Sequence, residues 1–470
     1  VMNLQGKHVL ILGLGESGLA AARWCDRQGA RVRIADTRMN PPGLDALKCR
    51  LASADFRTGD FTKLSDKSLL DGIDLLVLSP GLSPGILVVI HARAQGIPVV
   101  GEIELFAWAL RDLKQHVPVL AITGTNGKTT TTTLTGHLIA STGKSVGVAG
   151  NISPAALTAL MDFQDQDALP QAWVLELSSF QLETTETLNA TAATVLNISD
   201  DHLDRYIDLD DYALTKTRIF AATKGHEGVQ VLNRGDARVK RMAIPGRKLI
   251  TFGLDAPADT ADFGLQANRG ELWLVQGDRF LMPVSELPIA GLHNAANALA
   301  ALALCAAIGI DPVSLLPALR SFKGLAHRVE KVTTLAGVTY YDDSKGTNVG
   351  ATVAALEGLG GVGTKSVVIL GGDGKGQDFS PLKAAVAAHA RAVVLIGRDG
   401  PLIEQAIKGC DVPTLKATDM DDAVRQSAGI AQAGDAVLLS PACASYDMFR
   451  NYGHRAEIFR AAVAALGAAA

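Results

Sequence analysis

The sequence predicts an α/β protein built as three domains, on three observations. The chain has 470 residues, and a domain of ordinary size takes roughly 150. Hydrophobic residues make up 48% and charged residues 20%, which allows sizeable cores and excludes disorder. Short apolar runs alternate with helix-like stretches at both ends of the chain, the pattern of parallel sheets with crossover helices. The expected divisions are 1–110, 111–324 and 325–470.

In the first unit, His8–Leu12 reads as a strand, Leu19–Gln28 as a helix and Arg31–Ala35 as a second strand. Leu75–Ser79 is a third strand, ending at Ser79-Pro80-Gly81, and Val99-Val100 starts another. This alternation predicts a Rossmann-like domain. The polar stretch Arg111–Pro118 breaks it and reads as a linker. Val119–Ile122 then opens a second unit as a strand followed by a glycine-rich turn, the entry to a P-loop mononucleotide-binding domain. Strands follow near Trp173–Leu177 and Ala193–Asn197. The Asn294–Ala307 helix is rich in alanine and leucine and fits between packed layers. Lys323-Gly324 breaks the pattern again. The third unit has strands at Thr339–Asp342, Ser366–Leu370, Ala392–Ile396 and Ala436–Leu439, with alanine-rich helices between them. That is a second Rossmann-like, doubly wound pattern.

Lysine plus arginine is 44 and aspartate plus glutamate 48, a net charge of -4, which argues against a general nucleic-acid binder. The five cysteines lie far apart, without zinc or redox spacing, so a reducing cytoplasm is the expected compartment. No apolar run reaches the roughly 18 residues of a membrane span. Ala298–Ile310 comes closest and reads as a buried helix, so no membrane insertion is expected. The run His8–Leu12 stops at a glycine-rich turn followed by Glu16, unlike a signal peptide.

The strongest chemical signal is Gly124-Thr125-Asn126-Gly127-Lys128-Thr129-Thr130. It follows a strand and precedes a helix. Its glycines let backbone N–H groups curl around phosphate oxygens. Lys128 would reach the β/γ-phosphates and the Thr129 hydroxyl would ligate Mg²⁺. The usual pattern has glycine or alanine five residues before Gly127, where this chain has Ile122. An ordinary glycine-rich turn is the bland alternative, and the lysine with its hydroxyl neighbours argues against it.

Gly13-Leu14-Gly15-Glu16-Ser17-Gly18 fits the dinucleotide fingerprint, and Asp36 lies at the end of the next strand, where a ribose reader would sit. Alone, this favours a nicotinamide or flavin cofactor. A glycine-rich turn at a helix N-terminus holds any pyrophosphate, however, including that of a nucleotide sugar. Thr37 and Arg38 could then read uridine or phosphate. A purely structural turn also remains open for this motif.

Glu176 ends an apolar strand, a place from which a carboxylate can hold Mg²⁺ directly or through water. His202 follows the strand ending at Asn197 and is read as functional rather than structural. Lys216 has no meaning from spacing alone. Three polar loops of the third unit each follow a strand: Asp342–Asn348, Gly371–Lys375 and Ser440–Ser445. Open α/β sheets bind ligands at that edge.

Taken in order, these motifs make the chain similar to the Mur ligases over nearly its whole length. The specific pieces are Gly124–Thr130, Glu176–Glu183, Asp201–Arg205, Gly291–Asn297, Ala326-His327-Arg328, Asp343–Asn348, Gly371–Lys375 and Ser440–Ser445. The short first unit, with Asp36-Thr37-Arg38 and Ser79-Pro80-Gly81, resembles the D-glutamate-adding branch.

The resemblance implies three domains that bind, in order, a UDP-sugar, ATP and the incoming amino acid. It implies an ADP-forming ligase of peptidoglycan precursor synthesis that acts as a monomer on UDP-N-acetylmuramoyl-L-alanine and D-glutamate, through an acyl phosphate. It implies two Mg²⁺ ions, the first on Thr129 and Glu176, the second on His202 and Lys216, with Lys216 carbamylated by CO₂. Asn294, Arg328, Asp343 and Lys345 would surround ATP. Gly15, Ser17, Asp36, Thr37, Arg38, Ser79 and Gly81 would hold the UDP-sugar, and Asn151 and Ser178 its peptide end. Thr347, Lys375 and Ser445 would hold D-glutamate, together with Tyr452, where the family often has phenylalanine.

A folylpolyglutamate synthetase-like ligase shares the central chemistry but has no nucleotide-sugar domain ahead of the phosphate loop. A nicotinamide-dependent oxidoreductase would explain Gly13–Gly18 and leave the phosphate loop and the C-terminal loops unexplained. A nucleotide-gated binding protein without catalysis is the third alternative. ATP turnover that needs both amino acid and UDP-sugar separates them.

Overall fold

Three separate sheets form, one in each third of the chain. The structure is a computed structural model that describes residues 3–51, 54–61, 67–114, 116–201, 205–289, 291–360 and 364–469. In the first sheet, β1 (His8–Leu12), β2 (Arg31–Asp36), β3 (Asp55–Thr58), β4 (Leu75–Leu78) and β5 (Val99–Val100) are parallel, in the order β3-β2-β1-β4-β5. The chain reverses its direction of growth between β1 and β4, so a crevice opens at the carboxyl ends of those two strands. Glycine is needed there. A Cβ on Gly13, whose φ is 87°, would lie 2.9 Å from Cβ of Ser79. A Cβ on Gly18 would lie 1.9 Å from the Gly13 carbonyl oxygen. The two glycines thus let the turn after β1 and the turn after β4 touch.

The middle sheet has nine strands. They are β6 (Val119–Thr123), β7 (Val146–Gly150), β8 (Ala172–Glu176), β9 (Ala192–Val195), β10 (Val229–Asn233), β11 (Leu249–Phe252), β12 (Phe263–Asn268), β13 (Glu271–Gln276) and β14 (Arg279–Pro283). From β7 to β12 the pairs are parallel, and β12-β13-β14 close the far edge as antiparallel hairpins. The helix Leu292–Ala307 is buried on every side from Ala298 to Cys305, as its composition predicts. The expected strands and this helix are present, with ends moved by one or two residues. The hairpin edge and the short strands β3, β7, β10 and β11 had not been anticipated.

The third sheet contains β15 (Glu330–Leu335), β16 (Val338–Asp342), β17 (Ser366–Gly371), β18 (Ala390–Ile396), β19 (Thr414–Lys416) and β20 (Ala436–Leu439). Their order is β15-β16-β20-β17-β18-β19, and only β15 is antiparallel to its neighbour. The strands β15 and β19, at its two edges, had not been expected either.

The first two domains share one apolar cluster, with the Phe106 and Trp173 ring centroids 5.0 Å apart, and polar contacts join all three. The helix Ala156–Asp165 of the middle domain begins without a cap of its own. Carboxylates of the first domain serve instead: Glu16 accepts from the Ala155 N–H at 3.1 Å and the Ser153 hydroxyl at 2.8 Å, and Glu102 accepts from the Leu157 N–H at 2.6 Å. Negative charge is favourable at a helix N-terminus. From the third domain, Arg328 Nη2 donates to Thr129 Oγ1 at 2.8 Å and Asn348 Nδ2 donates to Asn126 Oδ1 at 3.1 Å. Among the described residues, no helix is long and apolar enough to cross a membrane.

Candidate active site

The crevice of the first sheet is a cavity of about 400 Å³, and Gly15, Ser17, Asp36, Thr37, Arg38, Ser79 and Gly81 all line it. Asp36 is buried and fully engaged. It accepts from the Leu14 N–H at 2.7 Å, the Arg38 N–H at 2.9 Å, Arg38 Nε at 2.9 Å and Arg38 Nη2 at 2.8 Å. Burial raises its carboxyl, but the hydrogen bonds from Arg38 and Leu14 outweigh it and hold the group below its ordinary value. Asp36 therefore braces the glycine turn and aims Arg38. Ser79 Oγ donates to the Gly13 carbonyl at 2.7 Å and ties the two turns together.

The phosphate loop leaves β6 and enters the helix Lys128–Ala140 through Gly127, whose φ is 81°. A Cβ on Gly127 would sit 2.4 Å from Asn297 Oδ1. Asn197, just beyond β9, clamps the loop. Its Oδ1 accepts from the Asn126 N–H at 2.8 Å and its Nδ2 donates to the Asn126 carbonyl at 3.1 Å. Lys128 Nζ folds back on the loop, donating to the Gly124 and Thr125 carbonyls at 2.9 and 2.8 Å. Burial holds this ammonium below the ordinary lysine value; Glu176 and Asp201 oppose that shift, while Arg328 and Lys345 reinforce it.

Two cavities flank the loop. One, of about 480 Å³, is lined by Thr125, Lys128, Thr129, Asn151, Glu176, Lys345, Thr347 and Tyr452, among others. The other, of about 410 Å³, is lined by Thr130, Asn294, Arg328, Asp343 and Lys345, among others. Asn126 and Gly127 border both. Asp343 is buried; desolvation pushes its carboxyl up to about 7, against hydrogen bonds from Ser440 Oγ at 2.6 Å and the Val329 N–H at 3.2 Å and the charge of Arg328.

The expected metal residues are unequally prepared. Glu176 is buried at the end of β8, and its Oε1 accepts from Asn151 Nδ2 at 2.9 Å. Its Oε2 has no hydrogen-bond partner among the described residues. A buried carboxylate oxygen without a donor suits a hard cation. The Thr129 hydroxyl is already held by Arg328, so a cation on that oxygen would face a guanidinium. Lys216 is buried beneath the loop, donating to Thr123 Oγ1 and the Gly124 carbonyl, each at 3.1 Å. Burial drives its amine well below the ordinary lysine value, and Lys128 adds to the shift while Asp201 and Glu176 oppose it. His202 lies outside the described residues.

The residues expected around the amino acid divide. Thr347 and Tyr452 line the 480 Å³ cavity. Tyr452 turns its ring to Lys345, whose Nζ lies 4.5 Å from the ring centroid and 3.2 Å from the hydroxyl. Its backbone carbonyl accepts from Ser344 Oγ at 2.7 Å. Lys375 is exposed and Ser445 buried, and neither borders that cavity. Their two loops are joined by a backbone bridge between Asp373 and Ala444. Ser178 also stands apart. Its hydroxyl caps the short helix Ser179–Leu182 in a reciprocal pair with Gln181.

Sequence reasoning passed over Asn197 and Asn297. Asn297 stands three residues after Asn294 on one helix face, and its Nδ2 donates to Asn294 Oδ1 at 3.1 Å. That spacing was visible. Asn197 gave only its place at a strand end.

The chain matches three domain families: "Mur ligase MurD-like, N-terminal domain" over residues 7–101, "Mur ligase middle domain" over 122–305, and "Mur ligase, glutamate ligase domain" over 327–443. It is 58% identical to the UDP-N-acetylmuramoylalanine--D-glutamate ligase of Aromatoleum aromaticum, covering 98% of this chain and 97% of the relative. It is 55% identical to the protein of that name from Nitrosospira multiformis, covering 100% of this chain and 97% of the relative. Among solved structures it resembles the UDP-N-acetylmuramate-alanine ligase of Thermotoga maritima, with a TM-score of 0.57 and 18% identity over 98% of this chain and 100% of that one. It also resembles a pseudomurein peptide ligase type C from Methanothermus fervidus, with a TM-score of 0.58 and 16% identity over 98% of this chain and 100% of that one. These two likenesses concern the fold.

Proposed function

The chain belongs to the Mur ligase family, and we propose that it joins D-glutamate to the terminal carboxylate of UDP-N-acetylmuramoyl-L-alanine, converting ATP to ADP and phosphate. One juxtaposition carries this reading. The phosphate loop, Glu176 and the third-domain residues Lys345 and Thr347 border a single cavity, and one buried oxygen of Glu176 has no hydrogen-bond partner among the described residues. A phosphoryl donor, an anchored cation and an incoming amino acid would meet there.

A bare carboxylate is a poor electrophile at neutral pH. Its oxygen attacks the γ-phosphorus, the bond to the β-phosphate oxygen breaks, and ADP leaves. The amine of D-glutamate then attacks the acyl carbon and loses a proton, the bond from that carbon to the phosphate oxygen breaks, and phosphate departs. Phosphoryl transfer depends mainly on positioning and charge neutralisation. Lys128 would exchange the Gly124 and Thr125 carbonyls for phosphate oxygens. Arg328 and Lys345 bring positive charge from the third domain to the same loop. Asn294 and Asp343 would border the nucleotide, and Asn151 the peptide end of the acceptor. In this reading Ser178 sets the local helix, and Lys375 and Ser445 reach D-glutamate only if their joined loops approach the cavity.

Mur ligases use ATP and Mg²⁺. Glu176 would hold one ion, which Thr129 would join only after Arg328 releases its hydroxyl, and Lys216 and His202 would hold a second; bound Mg²⁺ supplies charge neutralisation at the phosphates. The neutral amine that burial favours at Lys216 is the form that adds CO₂, releasing a proton and leaving a carbamate with hard oxygen donors. A monomer is the proposed working unit. The cytoplasm, where ATP and UDP-sugars are made, is its place.

A match to the first domain over residues 7–101 and full-length relatives disfavour the folylpolyglutamate and oxidoreductase alternatives. The test is phosphate release from ATP with Mg²⁺ and UDP-N-acetylmuramoyl-L-alanine. D-glutamate should support turnover, and L-glutamate, lysine and diaminopimelate should not. Release that ignores either the sugar nucleotide or the amino acid would sink the proposal.

A further inference from the structure

The turn Ser79–Leu82 belongs to the first domain, yet a side chain of the middle domain holds it. Arg205 Nη1 donates to the Pro80 carbonyl at 3.1 Å and Nη2 donates to the Leu82 carbonyl at 2.9 Å. The same guanidinium is gripped by Glu183, through Nε at 3.2 Å and Nη2 at 2.5 Å. Its face lies 4.1 Å from the Phe180 ring centroid. Both charged side chains are largely buried, at 13% and 12% exposure, so this pair is not a solvated surface contact. Tyr206 adds a hydrogen bond from its hydroxyl to Glu183 Oε1 at 2.9 Å.

The planar fork of arginine suits this task, since it can hold a carboxylate and two carbonyls at once. A lysine could not make the same set. The turn it holds is itself tight: the Leu82 N–H donates to the Ser79 carbonyl at 3.0 Å. Ser79 continues the chain of contacts to the Gly13 carbonyl. A line of hydrogen bonds thus runs from Glu183 through Arg205 and the turn to the glycine-rich loop on the opposite wall of the cavity.

We infer that Arg205, anchored by Glu183, is a positioning residue for the sugar nucleotide. It sets the wall formed by Ser79 and Gly81 from outside the first domain. The inference rests on the reading of the 400 Å³ cavity as the sugar-nucleotide site. It also makes that site a joint product of two domains, although among the described residues none of the middle domain borders the cavity.

Calorimetry of UDP-N-acetylmuramoyl-L-alanine binding to the full chain tests it without needing turnover. Wild type that binds no sugar nucleotide would overturn the reading of the cavity. With wild-type binding established, Arg205→Met should weaken Kd by about tenfold or more, as loss of charge-assisted hydrogen bonds does. Arg205→Lys should not restore it. KM for ATP and for D-glutamate should stay within about twofold, whereas a general loss of structure would raise all three together. Should Arg205→Met fail to fold, Glu183→Gln keeps the volume and removes the anchoring charge, and it should weaken Kd in the same selective way. An unchanged Kd in the folded variants, or equal losses for all three substrates, overturns the inference.

Discussion

At Gly13–Gly18 and at Gly124–Thr130 a glycine-rich turn joins a buried strand to a helix, but the charges around the two turns are in opposite states. At the first, both nearby carboxylates find donors within the protein. Asp36 is held by Leu14 and Arg38, and Glu16, in the first turn of its helix, is drawn away to Ser153 and Ala155. At the second, among the described residues, Lys128 donates to carbonyls of its own loop, one oxygen of Glu176 has no donor, and Lys216 is a buried amine. The same backbone device lines a crevice whose charges are paired in one place and enters a cavity whose charges are incompletely paired in the other. Perturbed, incompletely paired groups mark where chemistry happens.

Removing charge at the second turn should therefore harm rate, and at the first turn affinity. Lys128→Ala should lower kcat by about 10²–10³, roughly 3–4 kcal/mol of transition-state stabilisation, with an unchanged melting temperature. Wild-type kcat in that variant would erase the distinction. Lys216→Arg keeps a positive charge and cannot be carbamylated, so phosphate release should fall by about 10² or more. Lys216→Ala should be equally inactive and partly rescued by short carboxylic acids; full activity of the arginine variant would show that the site needs a cation.

Asp36→Ala should weaken sugar-nucleotide binding about tenfold in calorimetry and leave KM for ATP unchanged. The carboxyl of Asp36 is held below its ordinary value of 3.8. Its stabilisation is therefore present above that pH and lost as pH falls through the lower folded value. The smallest effect concerns Glu102, whose Oε2 has no hydrogen-bond partner among the described residues. Burial pushes its carboxyl from 4.5 up to about 7, despite the Leu157 N–H. The folded chain then binds more protons than the unfolded chain between those values, so this group makes stability fall as pH rises from about 4.5 to 7. Glu102→Gln should melt about 2–4 °C higher than wild type at pH 8 and gain nothing at pH 4. Parallel pH–Tm curves for the two proteins would remove Glu102 as the source.

Four of the five strands of the first domain were readable along the chain, and its candidate site residues sit at strand ends; β3, with Phe56 as its one apolar residue, gave no signal. Gly15, Asp36, Arg38 and Ser79 converge because the sheet order brings those ends to one crevice. The phosphate loop was readable for the same reason. The hairpins β12 to β14 were missed although turn signals at Arg269-Gly270 and Gly277-Asp278 separate them. Lys216 carries no local signal, since its burial comes from packing under a loop more than ninety positions earlier. The link from Arg205 to Pro80 spans 125 positions and joins a charged side chain to backbone carbonyls, which no pattern of residue types announces. Ser178 shows the converse: a motif neighbour of Glu176 whose hydroxyl is committed to a helix cap.

The uncapped start of the helix Ala156–Asp165 bears on how such ligases can be recombined. Its N–H groups are completed by Glu16 and Glu102, which come from separate parts of the first domain. A different module grafted in place of residues 1–110 would have to bring hydrogen-bond acceptors to the same two points. Otherwise it would leave a helix end without acceptors at a buried junction. Modularity in this architecture is thus limited by caps that one module supplies to another, and a domain boundary drawn on the sequence is not a seam along which the protein can be cut.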